Sequence, residues 1–344
     1  MKVLELFAGC GGLALGLEQA SFETIALIDY DQNSCLTLKT NRPHWNVINE
    51  DITKWAKQDL CMLLNLEQNE LDLLSGGFPC QAFSYAGKRL GLEDTRGTLF
   101  YDYATCLKQL KPKIFLVENV KGLLTHNRGK TFQTMLDLLK KIGYQIKYQV
   151  LNAWDYGVAQ KRQRLIVVGI RDDLASQIDF QFPLKHVYKP VLKDVLENVP
   201  QSTGYQYQPA KKAVLDLVPQ GGCWINLPDD IAKQYMKNSY YSGGGKRGIA
   251  RRLAMDQPSL TLTTSPMQKQ TERCHPLETR PLTIQEYARI QSFCDQWVFV
   301  GSKASQYQQI GNAVPVLLAY EIGKAIKIVL EKILNSDGKK VIEN

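Results

Sequence analysis

The chain has 344 residues, 44% of them apolar, enough for one large domain or two of ordinary size around a sizeable core. No run approaches the roughly 18 apolar residues that span a bilayer, so no membrane segment is expected. The net charge of +8 favours a polyanionic partner, because basic proteins gain affinity for nucleic acid through counterion release. The eight cysteines contain no Cys-x-x-Cys pair and are accompanied by only four histidines. That argues against a zinc site or any other metal, against a disulfide framework, and for a reducing cytoplasm.

Lys2-Val3-Leu4-Glu5-Leu6-Phe7 reads as a first strand: its acid sits inside the apolar run and no small-residue cleavage site follows. Ala8-Gly9-Cys10-Gly11-Gly12 then turns into a helical pattern over 13–20. A glycine-rich strand-to-helix turn brings backbone N–H groups close to a ligand, although tight packing alone also explains it. A second strand over 24–28 ends in Asp29, about 20 residues beyond the turn, where an acid can hold ribose hydroxyls. The turn has neither a third glycine at dinucleotide spacing nor a phosphate-loop lysine. An adenosine ligand without a phosphate chain therefore fits better than NAD or ATP. A helix over 32–40 and a strand over 46–48 lead to Glu50-Asp51-Ile52. There Asp51 and Ile52 either flank an adenine ring, or Asp51 caps the following helix.

The stretch that organises the chain is Leu73-Leu74-Ser75-Gly76-Gly77-Phe78-Pro79-Cys80-Gln81-Ala82-Phe83-Ser84. A buried strand breaks at the glycines, Pro79 stiffens the exit, and one thiol stands at the apex. Strand ends of open α/β sheets are where ligands bind, but a solitary cysteine is also often no more than a small buried apolar residue. Residues 87–97 are polar and Gly-rich, with Lys88, Arg89 and Arg96, and suggest a mobile cover. After a helix over 99–110, the strand 113–117 delivers Glu118-Asn119-Val120 to the same sheet edge as Cys80. A carboxylate ending a buried strand is costly without a partner. A helix over 130–142 and a strand over 144–152 precede Gln160-Lys161-Arg162-Gln163-Arg164, which enters the strand 165–170. Arg162 and Arg164 share one face there, either as solvated charge or as forks for an anion or carbonyl.

Beyond Arg171 the alternation of strand and helix stops. Residues 200–280 hold eleven Lys/Arg against six Asp/Glu, including the basic run Lys246-Arg247-Gly248-Ile249-Ala250-Arg251-Arg252. Residues 260–264 alternate as a short strand. Helical periodicity resumes after Arg280, with Thr283 and Glu286 spaced as a capping box. A last helix is expected over 315–334.

Taken in order, these motifs resemble the cytosine-C5 DNA methyltransferases of bacterial restriction–modification systems. The resemblance rests on Phe7-Ala8-Gly9-Cys10-Gly11-Gly12, Asp29, Asp51-Ile52, Phe78-Pro79-Cys80-Gln81, Glu118-Asn119-Val120 and Gln160-Lys161-Arg162-Gln163-Arg164. It continues in Arg280-Pro281-Leu282-Thr283 with Glu286 and Arg289, and in Gln309-Ile310-Gly311-Asn312-Ala313-Val314-Pro315. The family often has a second proline where Phe78 stands, and glutamate where Asp29 stands.

The resemblance implies an α/β fold: a Rossmann-like S-adenosylmethionine-dependent methyltransferase sheet with helices on both faces, over 1–182 and 276–344. A smaller, irregular, mostly β target-recognition domain is implied over 183–275. Cys80, Glu118, Arg162 and Arg164 would be catalytic, the thiolate adding to C6 of a flipped-out cytosine. Phe7, Gly9, Gly11, Gly12, Asp29, Asp51, Ile52, Pro79, Leu99, Asn312 and Val314 would hold S-adenosylmethionine and its product S-adenosylhomocysteine. Gln81, Ser84, Lys88, Arg89, Lys246, Arg247, Arg251, Arg252 and Thr261 would contact double-stranded DNA. A monomer on DNA, a bacterial cytoplasmic location at the nucleoid and a partner restriction endonuclease are further implications. An RNA cytosine methyltransferase, or a non-catalytic nucleic-acid-binding protein of the same fold, are the alternatives.

Overall fold

The computed structural model describes residues 1–79, 99–176, 178–241 and 247–342, with side chains of the last helix described to Asn335. Cys80, Gln81, Ser84, Lys88, Arg89 and Lys246, all singled out above, lie outside the described residues. The chain forms two compact units. One comprises 1–152, 163–185 and 314–344; the other comprises 153–162 and 186–313. Residues 276–313, grouped by sequence with the first part of the chain, thus belong to the second unit, together with the short 153–162. No helix among the described residues is long and apolar enough to cross a membrane.

The first unit is built on seven strands: β1 (Lys2–Leu6), β2 (Glu23–Asp29), β3 (Val47–Asn49), β4 (Leu73–Gly76), β5 (Ile114–Val120), β6 (Tyr144–Asn152) and β8 (Gln163–Arg171). Their order is β3-β2-β1-β4-β5-β8-β6, with β8 antiparallel to both its neighbours and the first five strands mutually parallel. Strands buried on both faces need continuous apolar runs, and β4 is buried at all four positions. The helix Leu99–Leu110 buries Phe100, Tyr103, Ala104, Leu107 and Leu110, the spacing of a single helical face. Lys130–Ile142 buries Phe132, Met135, Leu136 and Leu139 in the same way and stops at Gly143, whose φ of 111° suits glycine. Both helices share one core with Leu4, Leu74, Phe115, Val117 and Val167.

The strand order reverses between β1 and β4, and the carboxyl ends beside such a switch point form the usual ligand crevice of an open α/β sheet. Two helices pack closely at the glycines of the first unit. A Cβ on Gly16, in the helix Gly12–Gln19, would lie 2.4 Å from Ala319 Cβ and 2.5 Å from the Val316 carbonyl oxygen of the helix Val316–Ile342. Across the same contact, a Cβ on Gly323 would lie 2.8 Å from Ala20 Cβ.

The second unit is made of short helices, among them Pro209–Asp216, Asp229–Met236, Ile284–Ile290 and Lys303–Asn312. Its core joins Tyr207, Leu215, Val218, Leu227, Met236, Ile249 and Cys274. The expected capping box is present: Thr283 Oγ1 accepts from Glu286 N, and the Glu286 carboxylate accepts from Thr283 N. The mostly β character expected for 183–275 is not found among the described residues. Strand is limited there to β9 (Ser259–Leu260), paired in parallel with β7 (Gln160–Lys161), and to isolated bridges. Gly, Pro and Gln signalled irregularity, and here the chain resolves it as short helical turns.

Gly16→Ala sets two effects against each other. Alanine favours a helix interior by about 1 kcal/mol, but its methyl would press on backbone atoms that cannot rotate away. Overpacking of that kind costs about 1–3 kcal/mol, so the variant should unfold at lower denaturant concentration. An unchanged or raised midpoint would show that the two helices separate freely.

Candidate active site and nucleic-acid interface

At the end of β1 the chain enters the left-handed region at Phe7, with φ 58°. A bulky residue held there carries strain of about 1–3 kcal/mol, which surrounding bonds must sustain. They do so through Asp29 at the end of β2. Its Oδ2 accepts from Gly9 N at 2.7 Å, and its Oδ1 from Asp31 N at 2.8 Å. Gly9 and Gly11 also have positive φ, 54° and 89°, and Gly11 leads into the first helix. A Cβ built on Gly9 would meet nothing within 4 Å, so open space lies against this turn. Burial raises the pKa of Asp29, although the Asp31 and Gly9 N–H groups oppose the shift.

Asp51 caps the following helix, its Oδ1 accepting from both the N–H and the hydroxyl of Thr53 at 2.9 Å. The side chain is nonetheless exposed, while Ile52 beside it is buried. Two residues here escaped the sequence reading. Tyr30, next to Asp29, is 79% exposed, an aromatic face on the edge where an adenine is expected. Glu5 is 2% exposed, and its Oε2 has no hydrogen-bond partner among the described residues. Burial, assisted by the charge of Asp29, pushes its pKa well above the usual carboxylate range. An acid inside an apolar strand was the available signal for Glu5, and an aromatic following the strand-end acid was the signal for Tyr30.

β4 and β5 deliver the second group of residues. Phe78 is buried, with its ring 5.5 Å from that of Phe100 and 6.4 Å from that of Phe7. The Asn119 amide donates to the Phe78 carbonyl at 2.9 Å, which ties the exit of β4 to β5. Pro79 is exposed, and Cys80 follows it. Glu118 is held by Arg164, whose Nε lies 2.7 Å from Glu118 Oε1; each side chain is only 12% exposed. β5 and β8 are antiparallel neighbours, with Val120 opposite Arg164, so the register accounts for the pairing. Gly77 permits the approach of the loop: a Cβ there would stand 2.8 Å from Glu118 Oε2. The thiol-bearing loop thus begins against the carboxylate.

Arg162, paired with Arg164 in the sequence reading, does something different. It is 1% exposed and donates to the carbonyls of Leu262 at 3.1 Å, Gly311 at 2.9 Å and Ala313 at 3.0 Å. Gln160 extends the node by accepting from Leu262 N at 2.9 Å and donating to Gln291 Oε1 at 2.8 Å. Gln291 in turn donates to the Ile310 carbonyl at 2.7 Å. These bonds tie the guanidinium to main chain of the second unit. Gly311 lies against this node, where a Cβ would come within 2.2 Å of the Thr263 carbonyl oxygen. Of the remaining expected cofactor residues, Leu99 is partly buried, Gly12 and Val314 are buried and Asn312 is exposed.

The expected DNA contacts separate in the same way. Arg247 is exposed and Arg251 half-buried. Arg252 is not available to DNA: it is 5% exposed and donates to the carbonyls of Val218, Leu215 and His275 and to Thr279 Oγ1. A run of like charges read as one surface in sequence is divided by the backbone, which turns alternate side chains inward. Thr261 is half-buried, its hydroxyl donating to the Lys161 carbonyl at 2.8 Å. A basic position not foreseen is Lys161, exposed, with its ammonium 4.9 Å from the Trp154 ring centroid; Lys189 lies 5.1 Å from the same ring.

This geometry agrees with comparison to known proteins. A family model described as C-5 cytosine-specific DNA methylase matches residues 1–328. The chain is 57% identical over 330 residues to the type II methyltransferase M.Sau96I of Staphylococcus aureus, covering 94% of this chain and 75% of that protein. It is 51% identical to the type II methyltransferase M.Eco47II of Escherichia coli, covering 96% and 80%. Among solved structures, a prophage-encoded protein of E. coli described as a DNA modification methyltransferase superposes with a TM-score of 0.71 at 23% identity, over 96% of this chain and 99% of that one. The Entamoeba histolytica methyltransferase EhMeth gives 0.67 at 18% identity, over 96% and 98%; these two likenesses bear on fold. The chain belongs to the C-5 cytosine-specific DNA methylases.

Proposed function

We propose that the protein transfers a methyl group from S-adenosylmethionine to C5 of a cytosine flipped out of duplex DNA, through a covalent Cys80–C6 adduct. The observation that carries this reading is the Glu118–Arg164 pair at the end of β5, with the loop toward Cys80 beginning against it. Cytosine C5 is a weak nucleophile, and a thiolate adding at C6 forms the S–C6 bond while moving the double-bond electrons toward C5. Glu118 would hold the N3/N4 edge of the base and favour protonation at N3, where charge builds during that addition. Arg164 fixes the direction of that carboxylate and keeps it from rotating away. Loss of the C5 proton, with water as acceptor, restores the C5–C6 double bond and expels the thiolate. The target carbon is hidden in a duplex, so the base must leave the stack at a cost of a few kcal/mol.

The open glycine turn, the exposed Tyr30 and the exposed Asp51 suit an adenosine ligand, and Phe7, Gly9, Asp29, Asp51 and Ile52 would hold S-adenosylmethionine in the first unit. Pro79, Leu99, Gly11, Gly12, Asn312 and Val314 are assigned to it by the family resemblance. The bound cofactor supplies an electrophilic methyl that C5 accepts. Arg162, which also holds main chain of the second unit, is assigned with Arg164 to the base carbonyl and to the positioning of Cys80. Arg247, Lys246, Gln81, Ser84, Lys88 and Arg89 are assigned to DNA, whose recognition falls to the basic second unit. Action as a monomer in the cytoplasm, beside a restriction endonuclease that reads the same sequence, completes the proposal.

Cys80→Ser should abolish turnover and leave S-adenosylmethionine and DNA binding near wild type. A duplex with 5-fluorocytosine at the target should trap wild-type protein covalently, because no C5 proton can leave. Substantial methylation by the serine variant would remove Cys80 from the mechanism. Glu118→Gln should lower kcat by about 10²–10⁴-fold with little change in KM, the usual range for a lost proton-handling group. Arg162→Lys should behave differently, destabilising the fold by several kcal/mol because it leaves buried carbonyls unpaired. A stable lysine variant with a selective loss of kcat would confine Arg162 to the reacting base.

A further inference from the structure

We propose that Arg251 reads the major-groove edge of a guanine in the target sequence, supported from behind by Arg273; this rests on the DNA methyltransferase reading above. The isolated parallel bridge between Arg252 and Cys274 sets the register of the two segments. Cys274 N donates to the Arg251 carbonyl and Leu253 N to the Cys274 carbonyl, each at 3.0 Å. That register places Arg251 opposite Arg273, on the face away from Arg252 and Cys274. Two guanidiniums side by side repel one another, so the arrangement needs a compensating partner.

No ion pair to either arginine supplies it among the described residues, and the neighbouring carboxylate of Glu272, fully buried, is taken by Lys211 at 2.5 Å. Arg273 is 4% exposed and spends its two terminal nitrogens on the carbonyls of Glu272 at 2.7 Å and Thr261 at 2.6 Å. The Nε atoms of both Arg251 and Arg273 are buried with no hydrogen-bond partner. Arg251 is the half-buried member, and its guanidinium makes no hydrogen bond among the described residues. A buried N–H without a partner is costly, so the pair is poorly compensated within the chain itself.

The backbone that launches Arg251 is fixed on both sides. Ala250 is fully buried with φ 47°, a conformation alanine adopts only under constraint. Arg252 is anchored by its own four bonds. A half-desolvated, rigidly mounted fork with excess positive charge suits an edge presenting two acceptors. Guanine O6 and N7 form such an edge in the major groove, and a bidentate arginine contact there is the commonest specific one. Phosphate oxygens share the acceptor chemistry, but an exposed lysine or arginine such as Arg247 meets them without prior desolvation.

The test starts from DNA of cells expressing the wild-type chain, sequenced for 5-methylcytosine to define the methylated site. Arg251→Ala and Arg251→Lys are then assayed on that site, on duplexes with each guanine replaced in turn, and for binding to a random duplex over a salt series. The proposal expects kcat/KM on the native site to fall roughly 5- to 150-fold in Arg251→Ala, with indifference to the base at one guanine position. Random-duplex affinity should change little, and lysine should not restore discrimination. Equal losses on specific and random DNA, restored by lysine, would identify a phosphate contact and overturn the proposal. So would an unchanged site preference in both variants. Cooperative thermal unfolding of Arg251→Lys, compared with wild type, separates misfolding from lost contact. Absence of methylated cytosine with the wild-type chain would strike the underlying reading instead.

Discussion

The second unit depends on one buried charge. Arg162 lies almost wholly out of solvent, where an ionised guanidinium without partners would cost several kcal/mol. Its fork meets carbonyls of residues 262, 311 and 313, so a single side chain joins stretches that are 100 and about 150 residues away in sequence. Each of these carbonyls is neutral, so these bonds desolvate no second charge. Gln160 and Gln291 complete the node with amide bonds of their own. A polar network of this kind specifies one arrangement, since any slip leaves a buried donor or acceptor unpaired. Gly311 belongs to the same constraint: the main chains pass too closely there for any side chain.

In the first unit the corresponding constraint is weaker and more local. Asp29 holds Gly9 and Asp31 by their N–H groups, and so fixes the shape of the turn rather than the packing of the domain. The carboxylate therefore has two duties: shaping the turn, and offering acceptor capacity to a ligand that lies against it. Glu118 is similar, since its Oε1 is drawn to Arg164 while Oε2 faces the position where Gly77 lacks a side chain. In both cases a strand-end acid is first an element of architecture. Its chemistry depends on which oxygen is left to a partner.

Most of the first unit was legible because its signals are local. Apolar strands, helical spacing such as 100, 103, 107 and 110, and glycine turns all act over a few residues. Asp51 was legible as a cap for the same reason, as was Thr283 in the second unit. The second unit was not, because its order comes from contacts between distant stretches. Nothing near Arg162 in sequence distinguishes a clamp on main-chain carbonyls from Arg164 two residues on, which pairs with Glu118. The adjacent Arg251 and Arg252 pose the same problem, and only the bridge to Cys274 decides which side chain turns inward. The helix Lys303–Asn312 was also missed; its polar composition gives little apolar periodicity, and Ser302, which accepts from Ser305 N, was its one cap signal.

The close packing at Gly16 has a consequence for biosynthesis. The helix Gly12–Gln19 rests on the helix Val316–Ile342, so its partner emerges from the ribosome about 300 residues later. At about 5–20 residues per second that interval lasts roughly 15–60 s. Throughout it Gly16, Leu17 and Ala20 lack the helix that finally packs against them. The first unit thus stays an unfinished object until a segment made some 300 residues later delivers one of its walls. A chaperone that shields apolar surface would find a long-lived target here, on the helix Gly12–Gln19.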